Sequence, residues 1–143
     1  MTEGPAATFE LQVKAQRISV PGKAEYELLA SGEGQIAGES AIIELTHQAE
    51  ILPDGSEIGT AQGYLRSTSS TEDHALFRGL GSFRHGSPGA QIWYGTFIVQ
   101  SQSPKFAALN AHAFGARVEL VPEGPIKHRW WSLEGSAEGR GEA

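Results

Sequence analysis

Apolar and polar residues alternate along most of this chain. Over residues 7–19, Phe9, Leu11 and Val13 fall on one side and Glu10, Gln12 and Lys14 on the other. A period of two marks a strand with one buried face. Residues 24–30 give a shorter, less regular strand, and Ser31-Gly32-Glu33-Gly34 reads as a break. Residues 35–51 read as one long strand, bent at Gly38. In it Ile36, Ile42, Glu44 and Thr46 oppose Glu39, Ala41, Ile43, Leu45 and His47. Residues 58–68 set Tyr64 and Arg66 against Ala61, Gly63 and Leu65. Residues 117–121 and 127–133 supply two more strands. Pro21-Gly22, Pro53-Asp54-Gly55-Ser56 and Pro122-Glu123-Gly124-Pro125 carry turn chemistry between them.

The densest stretch runs over residues 75–101, two strands joined by Gly86-Ser87-Pro88-Gly89. Phe77, Gly79, Gly81 and Phe83 share one face of the first strand, and Leu76, Arg78, Leu80 and Arg84 the other. In the second strand Trp93, Gly95, Phe97 and Val99 oppose Ile92, Tyr94, Thr96 and Ile98. Residues 105–113 alone have helical composition, and Gly115 is placed to stop a short helix there. The pattern predicts an all-β domain of about eight antiparallel strands. Gly38, Gly63, Gly79, Gly81 and Gly95 lie inside strands, which favours a closed barrel, because a small barrel wall must bend sharply. A single domain over residues 7–134 is expected, between flexible ends at 1–6 and 135–143.

Composition narrows the chemistry. A net charge of −6 argues against a general nucleic-acid binder, and one basic-aromatic cluster, His128-Arg129-Trp130-Trp131, does not reverse that. The absence of Cys excludes disulfides, thiolate metal sites and Cys nucleophiles. No apolar run approaches a membrane span, and the first residues lack a signal-peptide core, so a cytoplasmic protein is expected. His47, His74, His85, His112 and His128 show no paired spacing, so no metal site is expected. Residues 32–38 lack the dinucleotide fingerprint, and there is no Gly-x-Ser-x-Gly elbow. No cofactor is expected.

One resemblance adds to this reading. The ATFEL strand, the strand start with Gly34, Gly38, Glu39 and Ser40, the Tyr64 strand, Gly79-x-Gly81-x-Phe83 and the Gly95-Thr96-Phe97 strand follow in an order that resembles the allene-oxide-cyclase-like barrels, in particular small bacterial members of no assigned function. The resemblance covers roughly residues 7–133. It implies an eight-stranded barrel around a mostly apolar cavity, often in a homo-oligomer, with cyclase chemistry in some members. It carries over no catalytic residue.

The candidate site follows from the residues themselves. Gly79 and Gly81 remove volume between Phe77 and Phe83, which makes either a pocket floor or a seat for a neighbouring Trp. Phe77, Phe83, Trp93, Phe97 and Trp131 are the candidate ligand-binding residues. Glu39, Tyr64 and Arg66 are the candidate catalytic groups. The expected function is binding of a small, largely apolar organic molecule in the barrel. Cyclase or isomerase chemistry by shape control plus one acid/base group is possible there. The rival expectation is a non-catalytic homo-oligomer with a filled barrel and an aromatic outer surface.

Overall fold

A computed structural model describes residues 5–18, 24–86 and 89–134. Eight strands close into one antiparallel barrel in sequence order. They are β1 (Ala7–Ile18), β2 (Glu25–Ile36), β3 (Glu39–Ile51), β4 (Glu57–Ser67), β5 (His74–Phe83), β6 (Gln91–Gln100), β7 (Ala113–Leu120) and β8 (Ile126–Ser132). Closure is made by β1 against β8, from Ala7 opposite Trp130 to Leu11 opposite Ile126. Beyond Leu11 the rest of β1 pairs with β2 alone, and its side chains there are exposed.

Three sequence expectations are corrected. The break at residues 31–34 is absent, and β2 runs through it to Ile36. The chain reverses instead at Ala37-Gly38, with φ of 50° and 82°. Both angles are left-handed, as a two-residue hairpin turn requires. The long strand over 35–51 is therefore two strands. The third correction concerns the helix, which is a six-residue 3-10 turn, Pro104–Leu109. Gly115 lies inside β7. The expected flexible ends at 1–4 and 135–143, the Pro21-Gly22 turn, and Ser87-Pro88 lie outside the described residues.

The period-two pattern sets the interior. Phe9 and Leu11, Ile43 and Leu45, Phe77, Phe97 and Val99, Phe114 and Trp130 are all buried. One half of the barrel is packed solid. Trp130 stands at its centre and is fully buried. Its ring centroid lies 5.4 Å from Phe9, 5.5 Å from Phe77, 4.7 Å from Phe97 and 5.7 Å from Phe114. The 3-10 turn caps this end with Phe106 and Leu109. The serines beside it complete the closure. Ser103 Oγ accepts the His74 amide at 3.0 Å, and Ser101 Oγ donates to the His74 carbonyl at 2.7 Å.

Glycines let the wall curve. A Cβ built on Gly79 would lie 2.0 Å from the Thr96 carbonyl oxygen of the adjacent strand. No side chain fits that approach without moving backbone. At Gly115 the corresponding atom would meet only the Leu133 side chain, at 3.2 Å. Gly79→Ala is therefore expected to lower the unfolding free energy by roughly 2 kcal/mol or more. Gly115→Ala is expected to cost well under half of that. Urea denaturation of the two variants checks this, and equal costs would remove close packing of the wall as the reason for Gly79.

Candidate functional site

The half of the barrel opposite the 3-10 turn is not filled. A cavity of about 60 Å³ lies there. By the same measure one water needs roughly 10–15 Å³, so several waters or a small organic group fit. Its walls are apolar, with Leu11, Leu28, Leu45, Trp93, Phe97, Val118 and Ile126 among them. The space exists because one stretch of wall lacks side chains. Gly59 pairs with Gly81, and Gly81 with Gly95, across β4, β5 and β6. These three line the cavity together with Gly79, Ala61 and Ala116.

Two imidazoles interrupt the apolar lining, His47 on β3 and His128 on β8. Trp130 Nε1–H donates to His128 Nδ1 at 3.2 Å. A neutral His128 therefore carries its own proton on Nε2. His47 packs edge-on to Trp93, with centroids 4.7 Å apart, and its buried Nε2 has no hydrogen-bond partner among the described residues. Burial pushes the His47 pKa down to about 4. Burial, and secondarily the His47 charge, push His128 down to about 3. Both are neutral at pH 7.

Above the cavity, at the open end, is a wider hollow of about 580 Å³ that shares Leu28 and Leu120 with it as walls. Tyr26, Glu57 and Gln91 line this hollow. Tyr26 donates to Glu57 Oε1 at 2.6 Å. Gln91 Nε2 donates more loosely to Oε2 at 3.5 Å, and Gln91 Oε1 accepts Trp93 Nε1–H at 3.2 Å. Burial, and then the hydrogen bond to Glu57 and its charge, push the Tyr26 phenol above its ordinary pKa.

The structure divides the residues expected from sequence. Phe77, Phe83, Trp93 and Phe97 are buried and face inward. Trp93 and Phe97 line the cavity, while Phe77 belongs to the filled half against Phe97 and Trp130. Trp131 is on the outer face, 37% exposed, and Trp130 points inward instead. Tyr64 and Arg66 are on the outer face as well, since β4 turns Gly63, Leu65 and Ser67 inward. There Tyr64 bonds Glu44, its partner across β3 and β4, which raises its pKa. Glu39 shares the inward parity of β3 but sits at the capped end. It accepts Ser67 Oγ–H at 2.6 Å and Ser69 Oγ–H at 3.2 Å, and lies 3.5 Å from Lys105 Nζ. Its carboxyl is held below the ordinary range, chiefly by Ser67. It ties the 3-10 turn to the barrel rim, away from the cavity beside Trp93. The three expected catalytic groups are thus not assembled into one site.

Tyr26, His47, Glu57, Gln91 and His128 were not singled out from the sequence as site residues. Two of them left a signal. His47 continues the Ala41, Ile43, Leu45 face, and His128 alternates with Ile126 and Trp130. A polar group on an apolar stripe is a buried polar group, and such groups need a reason. Glu57 gave none, because it follows the Asp54-Gly55 turn directly. Among the described residues no three His, Asp or Glu side chains come together as a metal site would need. No helix there is long and apolar enough to cross a membrane.

No protein-family model matches this chain, and no curated protein does. Its likeness is to solved structures. A protein of unknown function from Rhodopseudomonas palustris is similar with a TM-score of 0.69 and 11% identity, over 89% of this chain and 95% of the other. A protein of unknown function from Clostridium acetobutylicum ATCC 824 is similar with a TM-score of 0.71 and 14% identity, over 90% and 95%. At these identities the likeness establishes the barrel and nothing about its contents.

The buried imidazoles predict an acid-sensitive fold. The unfolded chain binds protons at His below pH 6.5, while the folded imidazoles stay neutral down to about 4 and 3. Stability is therefore complete above pH 6.5 and falls as pH drops toward 4. The slope is about 1.4 kcal/mol per pH unit for each imidazole. The depressed carboxyls Glu27, Glu39 and Asp54 add their own loss only near and below their ordinary values of 4.5, 4.5 and 3.8. Urea titrations between pH 6.5 and 4.5 are expected to show this slope, and His47→Leu to remove about half of it. An unchanged slope in His47→Leu would show that His47 does not titrate as a buried neutral base.

Proposed function

We propose that this barrel binds a small, largely apolar organic molecule in the cavity beside Trp93. The carrying observation is that half of the interior is filled by Trp130 and four Phe side chains while the other half keeps a cavity of about 60 Å³ beside Trp93. An empty apolar space costs stability, on the order of 1 kcal/mol or more at this size. Larger side chains at Ala61 and Ala116, which line it, would remove that cost. A cavity kept open on one side of a well-filled core suits a ligand.

Binding is favoured over acid–base catalysis. A general base works best with a pKa near the working pH. His47 and His128, at about 4 and 3, are weak bases at pH 7. As neutral hydrogen-bonding groups in an apolar lining they orient a ligand well. Cyclase or isomerase chemistry would have to come from shape control alone. Kinship with the allene-oxide-cyclase-like barrels is part of this same proposal, supported by the order of strands and the apolar cavity.

Titration with benzyl alcohol, followed by amide NMR shifts, tests the proposal. Saturable shifts are expected at Leu28, His47, Trp93 and Val118, and Ala61→Leu is expected to weaken binding at least tenfold while leaving the fold intact. Shifts that do not saturate, or that ignore Ala61→Leu, would overturn it.

A homo-oligomer is proposed alongside, on a separate observation. The outer face of β4–β6 exposes Ile58, Leu76, Leu80, Tyr94 and Ile98, with Leu80 at 70%. Apolar side chains grouped this way on a sheet surface commonly meet another protein. Light scattering is expected to give a mass that is a multiple of 15.3 kDa, reduced to the monomer by Leu80→Glu. A monomeric wild type would end this proposal and leave the cavity untouched.

A further inference from the structure

We propose that the ligand is an organic cation, an amine or quaternary ammonium whose charged head sits at Glu57 and whose apolar body enters the cavity. This rests on the binding reading above and names the class of molecule bound. Glu57 is only 6% exposed. A buried carboxylate is costly unless it is paired. Its bonds come from neutral donors, the Tyr26 hydroxyl and the Gln91 amide. Among the described residues, none of the ion pairs formed by Lys, Arg or His involves Glu57. The charge partner that the described residues do not supply is a cation, and the hollow that Glu57 lines is where one can arrive.

The surroundings suit an organic cation better than a metal ion. Phe83 stands directly opposite Glu57 across β4 and β5, and Trp93 directly opposite Phe83 across β5 and β6. Tyr26 lines the hollow with Glu57, and Trp93 lines the cavity below it. Aromatic rings beside an acid attract ammonium groups through their faces and accept alkyl substituents without hydrogen bonds. A divalent metal would need three or more hard or nitrogen ligands, and no such cluster exists among the described residues. The two neutral imidazoles deeper in the cavity add no positive charge to repel the head group. A net charge of −6 favours the approach of cations over anions.

Three ligands of one shape test this: benzylamine, benzyl alcohol and benzoate, titrated at pH 7.5 into wild type and Glu57→Gln. Benzylamine is expected to bind at least about tenfold tighter than benzyl alcohol, with benzoate weakest. Glu57→Gln is expected to bring benzylamine within about twofold of benzyl alcohol, both measured in that variant. The wild-type order alone decides the matter should Glu57→Gln fail to fold. Equal binding of amine and alcohol overturns the cation and leaves the cavity reading standing. Failure of all three ligands to bind overturns both.

Discussion

The hydrogen bond from Trp130 to His128 is the contact on which the interior depends. A barrel of eight strands has an inside just wide enough to be filled by side chains. Trp130 does that for one half, and its indole N–H is carried into an apolar core with it. Left unpaired, such a donor costs about 1–3 kcal/mol. His128, two residues earlier on the same inward face, supplies the acceptor. The consequence reaches past stability. Accepting at Nδ1 commits the neutral ring to a proton on Nε2, and the ring that makes this bond also lines the cavity. The boundary between the packed and open halves is therefore one side-chain bond along a single strand.

That boundary also explains why the wall is built unevenly. Around Trp130 the strands carry Phe9 and Phe77, which meet it edge to face, Phe97, which stacks on it, and Phe114, which lies tilted to it. Farther along the same strands the inward positions shrink to Gly81 and Gly95, with Gly59 beside them. β5 states the contrast in one strand, since its inward face runs Phe77, Gly79, Gly81, Phe83. Phe77 packs on Trp130, and Phe83 on Trp93. The bare stretch between them is where the cavity meets the wall. A wall that only had to close would need its small residues at the bends, and Gly79 is such a place. Gly59, Gly81 and Gly95 are such places too, since a Cβ there would lie 2.6, 2.7 and 2.5 Å from carbonyl oxygens of the adjacent strands.

Much of this architecture was legible in the sequence because a period of two is a strong physical signal. The strands, the hairpin over 75–101 and the barrel follow from alternation and from glycine inside strands. Gly79 and Gly81, read as pocket floor or as a seat for a Trp, line the cavity together with Trp93. What alternation cannot give is its own sign. Two adjacent tryptophans in β8 take opposite faces, and nothing local says that Trp130 rather than Trp131 goes inside. Glu39, Tyr64 and Arg66 illustrate the same limit from the other direction. Their residue types suit catalysis, yet strand phase sends Tyr64 and Arg66 outward, and strand length leaves Glu39 at the capped rim. The Tyr26–Glu57 contact joins residues 31 apart, a pairing that only barrel closure and register create.

The electrostatics of the open half separate recognition from chemistry. Two imidazoles held neutral by burial can hydrogen-bond a ligand but are poorly matched to moving a proton at pH 7. Glu57, by contrast, has only neutral partners among the described residues. The arrangement puts the charged group at the mouth and the uncharged groups at depth, with aromatic rings between. A ligand complementary to that order has its charge at one end and an apolar body at the other. Two bacterial proteins of unknown function share this fold at 11% and 14% identity. Inward positions of a barrel can change independently once the bends are in place. On the binding proposal, specificity would reside in which of those positions stay small and which one keeps a charge.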